Sequence, residues 1–135
     1  MKAIFAPFVF LLATLPSFAA DPRPGSPLFR FGAVADCQYC EATSNVRKYS
    51  LSPKKLTACV EHYNKMELSF VVHLGDFIDR DFSSFDKVVP IYNQLKAPHY
   101  HVLGNHDFSV ADDKKALAPA KLGLKQRYYD FTRKG

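Results

Sequence analysis

Apolar residues along the chain gather in short runs, separated by polar stretches with helical spacing. Residues 28–36 (LFRFGAVAD) form the first strand-like run, with Arg30 its only charge before the end. Ser52 and Pro53 then open a helix, since serine can cap and proline suits the first helical position. Leu56, Cys59, Val60 and Tyr63 follow at i, i+3, i+4 and i+7, one face of that helix. Residues 68–74 (LSFVVHL) are a second strand. Ser83 or Ser84 caps a second helix with an inner face of Phe85, Val88, Val89, Tyr92 and Leu95, and Pro90 off that face is expected to kink it. A third strand covers 99–103, a weaker helix 111–122 and a fourth strand 126–131. Strand and helix alternate throughout, which predicts an α/β fold with a largely parallel sheet.

The amino terminus breaks that alternation. Lys2 precedes an almost wholly apolar stretch at 3–15, and Ser17-Phe18-Ala19 places small residues where a signal peptidase needs them. The competing reading is a buried first element, and Pro7 and Pro16 count against a helix there. The expected organisation is a signal peptide at 1–19, an extended Pro-rich linker at 20–27 and one domain at 28–135, in a protein that is secreted or periplasmic. Composition adds limits. The 135 residues are 47% hydrophobic and 23% charged, an ordinary globular mixture. The net charge of +5 is scattered, with no clustered basic face to suggest nucleic acid, and it favours small anionic substrates. No apolar run reaches the ~18 residues of a membrane-spanning helix.

The chemistry sits where the strands end. The first run ends Asp36-Cys37-Gln38, the second Gly75-Asp76-Phe77-Ile78-Asp79-Arg80, the third Gly104-Asn105-His106-Asp107. Parallel strands direct their carboxyl ends to one edge of a sheet, where ligands bind. Asp36, Gln38, Asp76, Asn105 and His106 would therefore meet, although they are far apart in sequence. An oxygen-rich set with one imidazole suits Mn²⁺ or Mg²⁺ better than a soft metal. Two metals need a bridging ligand, and the Asp76 carboxylate has two oxygens to offer. Each motif alone is commonly a turn; three of them in order, each after a buried-looking strand, point to a metal site.

These three motifs, in this order and spacing, resemble those of the calcineurin-like metallophosphoesterases. Asp36-Cys37-Gln38-Tyr39 is similar to the branch named for manganese-dependent ADP-ribose/CDP-alcohol diphosphatase, in which Gln replaces the usual His. The resemblance covers residues 29 to about 131. It implies part of an α/β/β/α sandwich, namely its amino-terminal β-α-β-α-β half, and a metal-dependent hydrolase of phosphoester or phosphoanhydride bonds. It also implies two divalent ions, Mn²⁺ first among them with Fe, Zn or Mg as others, and a small phosphorylated substrate. By the same resemblance, Asp36 and Gln38 bind one metal, Asp76 bridges and Asn105 binds the second. His106 faces the scissile phosphate as a catalytic group, and Asp107 orients its imidazole. Arg80 pairs with Asp79 or leans toward substrate phosphate.

The family carries further His ligands on later strands, and no histidine follows His106 here. The chain is accordingly expected to be a fragment, with a catalytically inactive truncated domain as the alternative. Cys37 and Cys40 form a Cys-x-x-Cys pair, which leaves a secreted thiol-redox protein as a more distant alternative. Cys59 is expected to be a buried, inert thiol. His62, His73, His99 and His101 are expected to be core or surface residues rather than ligands.

Overall fold

The computed structural model describes residues 25, 27–42 and 46–133. The proposed signal peptide and most of the proposed linker lie outside them. Three short strands form one fully parallel sheet in the order β1 (Phe31–Val34), β2 (Phe70–His73), β3 (His99–His101). Phe31 pairs with Phe70, and His73 pairs with both Val34 and His101. Helix α1 (Ser52–Tyr63) connects β1 to β2, and α2 (Phe85–Tyr92) connects β2 to β3.

Alternation along the strands separates two faces. Gly32, Val71, His73 and His101 are buried on the helix side. Leu56 and Val60 of α1 and Phe85, Val88 and Tyr92 of α2 complete the core there. Gly32 is glycine for a packing reason: a Cβ would sit 2.9 Å from the Tyr63 ring. The opposite face carries an aromatic ladder. Phe31 stacks on Phe70 at 5.0 Å, Phe70 meets Phe131 edge-on at 5.3 Å, and Tyr100 stacks on Phe131 at 3.9 Å.

Three expectations need correction. Neither predicted serine cap forms a side-chain hydrogen bond; tight 3-10 turns at Tyr49–Leu51 and Phe82–Ser84 lead into α1 and α2 instead. Residues 111–122 form two short helices, α3 (Asp112–Lys115) and α4 (Ala118–Lys121). Pro119 has no N–H to continue the first into the second. Residues 126–131 are not a strand. They reach the edge of β3 through side chains: the Tyr129 hydroxyl donates to the His101 carbonyl at 2.7 Å and accepts its N–H at 3.2 Å. Helix α2 runs through Pro90, whose missing N–H lies on an exposed side.

Candidate metal centre

The loops leaving the three strands are laced together by backbone. Asp36 N–H donates to the Gly75 carbonyl (3.3 Å), Gln38 N–H to Asp76 (2.9 Å) and Tyr39 N–H to Phe77 (3.2 Å). The third loop joins through a side chain: the Asp76 Oδ1 accepts the His106 N–H at 2.9 Å. Asp36, Gln38, Asp76, Asn105 and His106 thus lie on one connected set of loops at one edge of the sheet.

Their backbone is unusual. Asp36, Gln38 and Asp76 have φ of +54°, +41° and +58°, a region that costs a residue with a side chain about 1–3 kcal/mol. Such conformations persist only where surrounding contacts over-determine them. Here the inter-loop hydrogen bonds do so, and three of the four non-glycine residues with positive φ among the described residues are candidate ligands, Arg80 (+68°) being the fourth. Close approach is secured by glycine. A Cβ on Gly75 would lie 2.8 Å from the Gly104 nitrogen, and one on Gly104 would overlap the Asp76 carboxylate. Gly75 also needs its freedom for a φ of +97°.

Asp107 lies beneath these loops with no exposed surface. Its Oδ1 accepts the N–H groups of Phe77 (2.8 Å) and Ile78 (3.2 Å), and its Oδ2 those of Gly104 (2.9 Å) and Asp76 (3.1 Å). Burial raises its pKa, and these four amides pull it back by favouring the ionised form. Both carboxylate oxygens are therefore engaged with backbone. The contact expected between Asp107 and the His106 imidazole belongs to Asp79, whose Oδ1 lies 3.0 Å from His106 Nδ1. Asp79 is 4% exposed, and its other oxygen receives Arg80 Nε at 3.2 Å. An ionised carboxylate only accepts, so Nδ1 carries the ring proton and Nε2 is the second working nitrogen. Sequence reasoning paired Asp79 with Arg80 alone. The available signal was the spacing of Gly-Asp-x-x-Asp, which returns the second aspartate to the loop that holds the first.

The donors present suit a hard divalent cation. Asp36 and Asp76 supply carboxylates, Gln38 and Asn105 amide oxygens. Among the described residues no three His, Cys, Asp or Glu side chains cluster as a metal-holding group, so the candidate ligands share connected loops without forming a closed cage. The Cys-x-x-Cys pair is poorly suited to redox work. Burial pushes the Cys37 thiol up to about 12, and Cys40 is fully buried. His73 and His101 are core residues and His62 is exposed, as expected.

Known proteins extend this picture. Relatives include the manganese-dependent ADP-ribose/CDP-alcohol diphosphatases of Arabidopsis thaliana (30% identity, 78% of this chain, 39% of the relative) and Mus musculus (34% identity, 82% and 36%). A crystal structure of a dimetal phosphatase from Danio rerio superposes with a TM-score of 0.55 at 29% identity, over 62% of this chain and 31% of that one. The chain spans little more than a third of the length of these curated relatives. The calcineurin-like phosphoesterase family model matches residues 29–133, nearly all of the described structure. The parallel sheet with its laced loops is thus part of a metallophosphoesterase fold, and the chain belongs to the calcineurin-like phosphoesterase family.

Proposed function

We propose that this chain carries the amino-terminal part of a dinuclear metal site that hydrolyses a phosphoanhydride in a small nucleotide diphosphate, such as ADP-ribose or a CDP-alcohol. The observation that carries this reading is the lacing of three loops, with strained backbone at Asp36, Gln38 and Asp76. Asp36 and Gln38 would hold one ion, Asp76 would bridge, and Asn105 would hold the second. Mn²⁺ is the preferred ion, because the four protein donors are all oxygens. When bound, such a pair of ions supplies charge neutralisation at phosphate oxygens and lowers the pKa of water.

The protein's own residues do the rest. His106 is tied to the bridging carboxylate through its backbone N–H and to Asp79 through Nδ1. Its Nε2 is then the atom that stabilises charge on the phosphoryl group or protonates the leaving oxygen. Asp79 stabilises the cationic imidazole and holds its orientation. Asp107 fixes the backbone of the second and third loops and contributes to catalysis only through them. Export from the cytoplasm, through a signal peptide ending at Ala19, belongs to the same reading.

The test is Mn²⁺ calorimetry together with hydrolysis of ADP-ribose, CDP-choline and bis(p-nitrophenyl) phosphate. Asp76→Asn should weaken Mn²⁺ binding more than any other single ligand substitution, since it removes the negative charge and one oxygen of the carboxylate that would serve both ions. His106→Ala should keep the metals while turnover falls by about 10²- to 10⁴-fold. The assignment fails if His106→Ala loses the metals and Asp76→Asn keeps them. Mass spectrometry of exported protein should find Ala20 at the amino terminus; folded cytosolic protein retaining Met1 would refute export.

A further inference from the structure

His73 is the last residue of β2 and has no exposed surface. Its ring meets Phe77 edge-on at 4.5 Å and Tyr92 at 6.0 Å, with the His101 ring 6.1 Å away. An aromatic hydrocarbon would suit such surroundings better. Its Nε2 has no hydrogen-bond partner, and an unpartnered buried polar group costs about 1–3 kcal/mol. One contact offsets that cost: Nδ1 accepts the Gly75 N–H at 3.3 Å.

The Gly75 residue is a junction. Its N–H goes to His73, and its carbonyl accepts the N–H of Asp36. It packs against Gly104 and leads directly into Asp76, both Gly75 and Asp76 having positive φ. We propose that His73 is a positioning residue for Asp36 and Asp76: its Nδ1 fixes the Gly75 backbone, and that junction sets the main chain of both aspartates. The inference rests on the metal-site reading for its consequence, but the contact itself is independent of metal. The ring must be neutral, with its proton on Nε2, because Nδ1 has to offer a lone pair to the amide. Burial favours that form by pushing the His73 imidazole down to about 3.

The experiment begins with ¹⁵N NMR of the unaltered chain without metal. His73 should be the Nε2–H tautomer, and the Gly75 and Asp36 amides should be protected from exchange. Two variants follow. His73→Asn keeps an acceptor where Nδ1 stands, and His73→Phe keeps a packed ring without one. Amide protection at both positions should survive in the first and be lost in the second. Mn²⁺ affinity should fall about tenfold in His73→Phe and stay within about threefold in His73→Asn, the scale expected for a group that supports ligands from behind. A proton on Nδ1 in the unaltered chain overturns the inference, as does a folded His73→Phe with protected Asp36 and Gly75 amides and undiminished Mn²⁺ affinity. If the unaltered chain binds no Mn²⁺, the metal-site reading fails, and the tautomer and exchange results still decide the role of His73.

Discussion

Two regions of the molecule solve the same problem with a side chain in place of a strand. Among the loops at the strand ends, Asp107 accepts four backbone N–H groups from residues 76–78 and Gly104. At the edge of β3, the Tyr129 hydroxyl takes both the N–H and the carbonyl of His101. The first side chain is fully buried and carries charge-assisted bonds; the second is 39% exposed and neutral. Charge and burial make the first a keystone. The Tyr129 contact, whose backbone partners can turn to water when it is lost, is a patch on an edge. The difference shows where this fold concentrates its specificity: at the loops that carry the candidate ligands.

The largest expected effect follows from Asp107. In Asp107→Asn one oxygen becomes an NH₂ group facing backbone donors, so at least two buried amides lose their acceptor. Stability should fall by about 3–5 kcal/mol, read from the urea midpoint. Asp76→Asn is the matched control among the same loops. Asp76 is only half-buried and gives up one bond to the His106 N–H, so its cost should be about 1 kcal/mol. Equal losses from the two would erase the distinction between a carboxylate that builds the loops and one proposed as a metal ligand.

That distinction was only partly legible in the sequence. The apolar runs at 28–36, 68–74 and 99–103 give the parallel strands, because burial of a strand imprints itself on consecutive residues. The three motifs at their ends give Asp36, Gln38, Asp76, Asn105 and His106, because parallel strands deliver their carboxyl ends to one place. The expected Arg80–Asp79 pair forms, but the sequence misplaces Asp107 and does not show the second contact of Asp79, for one physical reason. Their partners lie 27 to 31 positions away along the chain for the bonds between the second and third loops. A carboxylate next to a histidine in sequence is the local choice, and tertiary packing gave His106 to Asp79. Residues 126–131 read as a strand from Tyr128, Tyr129 and Phe131, but Tyr128 is exposed, and the rings of Tyr129 and Phe131 meet the aromatic ladder and the edge of β3 without pairing backbone.

Acid should expose a second contrast, between the buried imidazoles and the buried carboxylate. Burial lowers His73 to about 3 and His101 to about 4, against an ordinary value of 6.5. Between those limits the unfolded chain binds protons that the native chain refuses. The stabilisation is therefore complete above about pH 6.5 and drains away as pH falls toward 4 and 3. Going from pH 7 to 5 should remove about 2 kcal/mol for each imidazole. Asp107 acts in the opposite sense, since burial holds its carboxyl above the ordinary range and the native state gains its proton first. Urea melts at pH 7 and pH 5 should show a net loss of about 2–4 kcal/mol, and His101→Phe should remove about half of the histidine share. A stability that is flat over this range would mean that the two rings are not held neutral.

The smallest effect belongs to the edge of β3. Tyr129→Phe deletes one oxygen and keeps the ring near Tyr100, 6.5 Å away between centroids. What disappears is a donor to the His101 carbonyl and an acceptor for its N–H. Both groups belong to a strand with no neighbour on that side among the described residues, so water can take over part of the bonding. The loss should be about 1 kcal/mol in the urea midpoint, well below that of Asp107→Asn. Exchange of the His101 amide is the sharper readout. Protection there should drop in Tyr129→Phe while the amides of Phe77 and Ile78, held by Asp107, stay as slow as in the unaltered chain. If the His101 amide kept its protection, residues 126–131 would be pairing with β3 through their own backbone in solution, and the side-chain patch described for this edge would be replaced by a fourth strand.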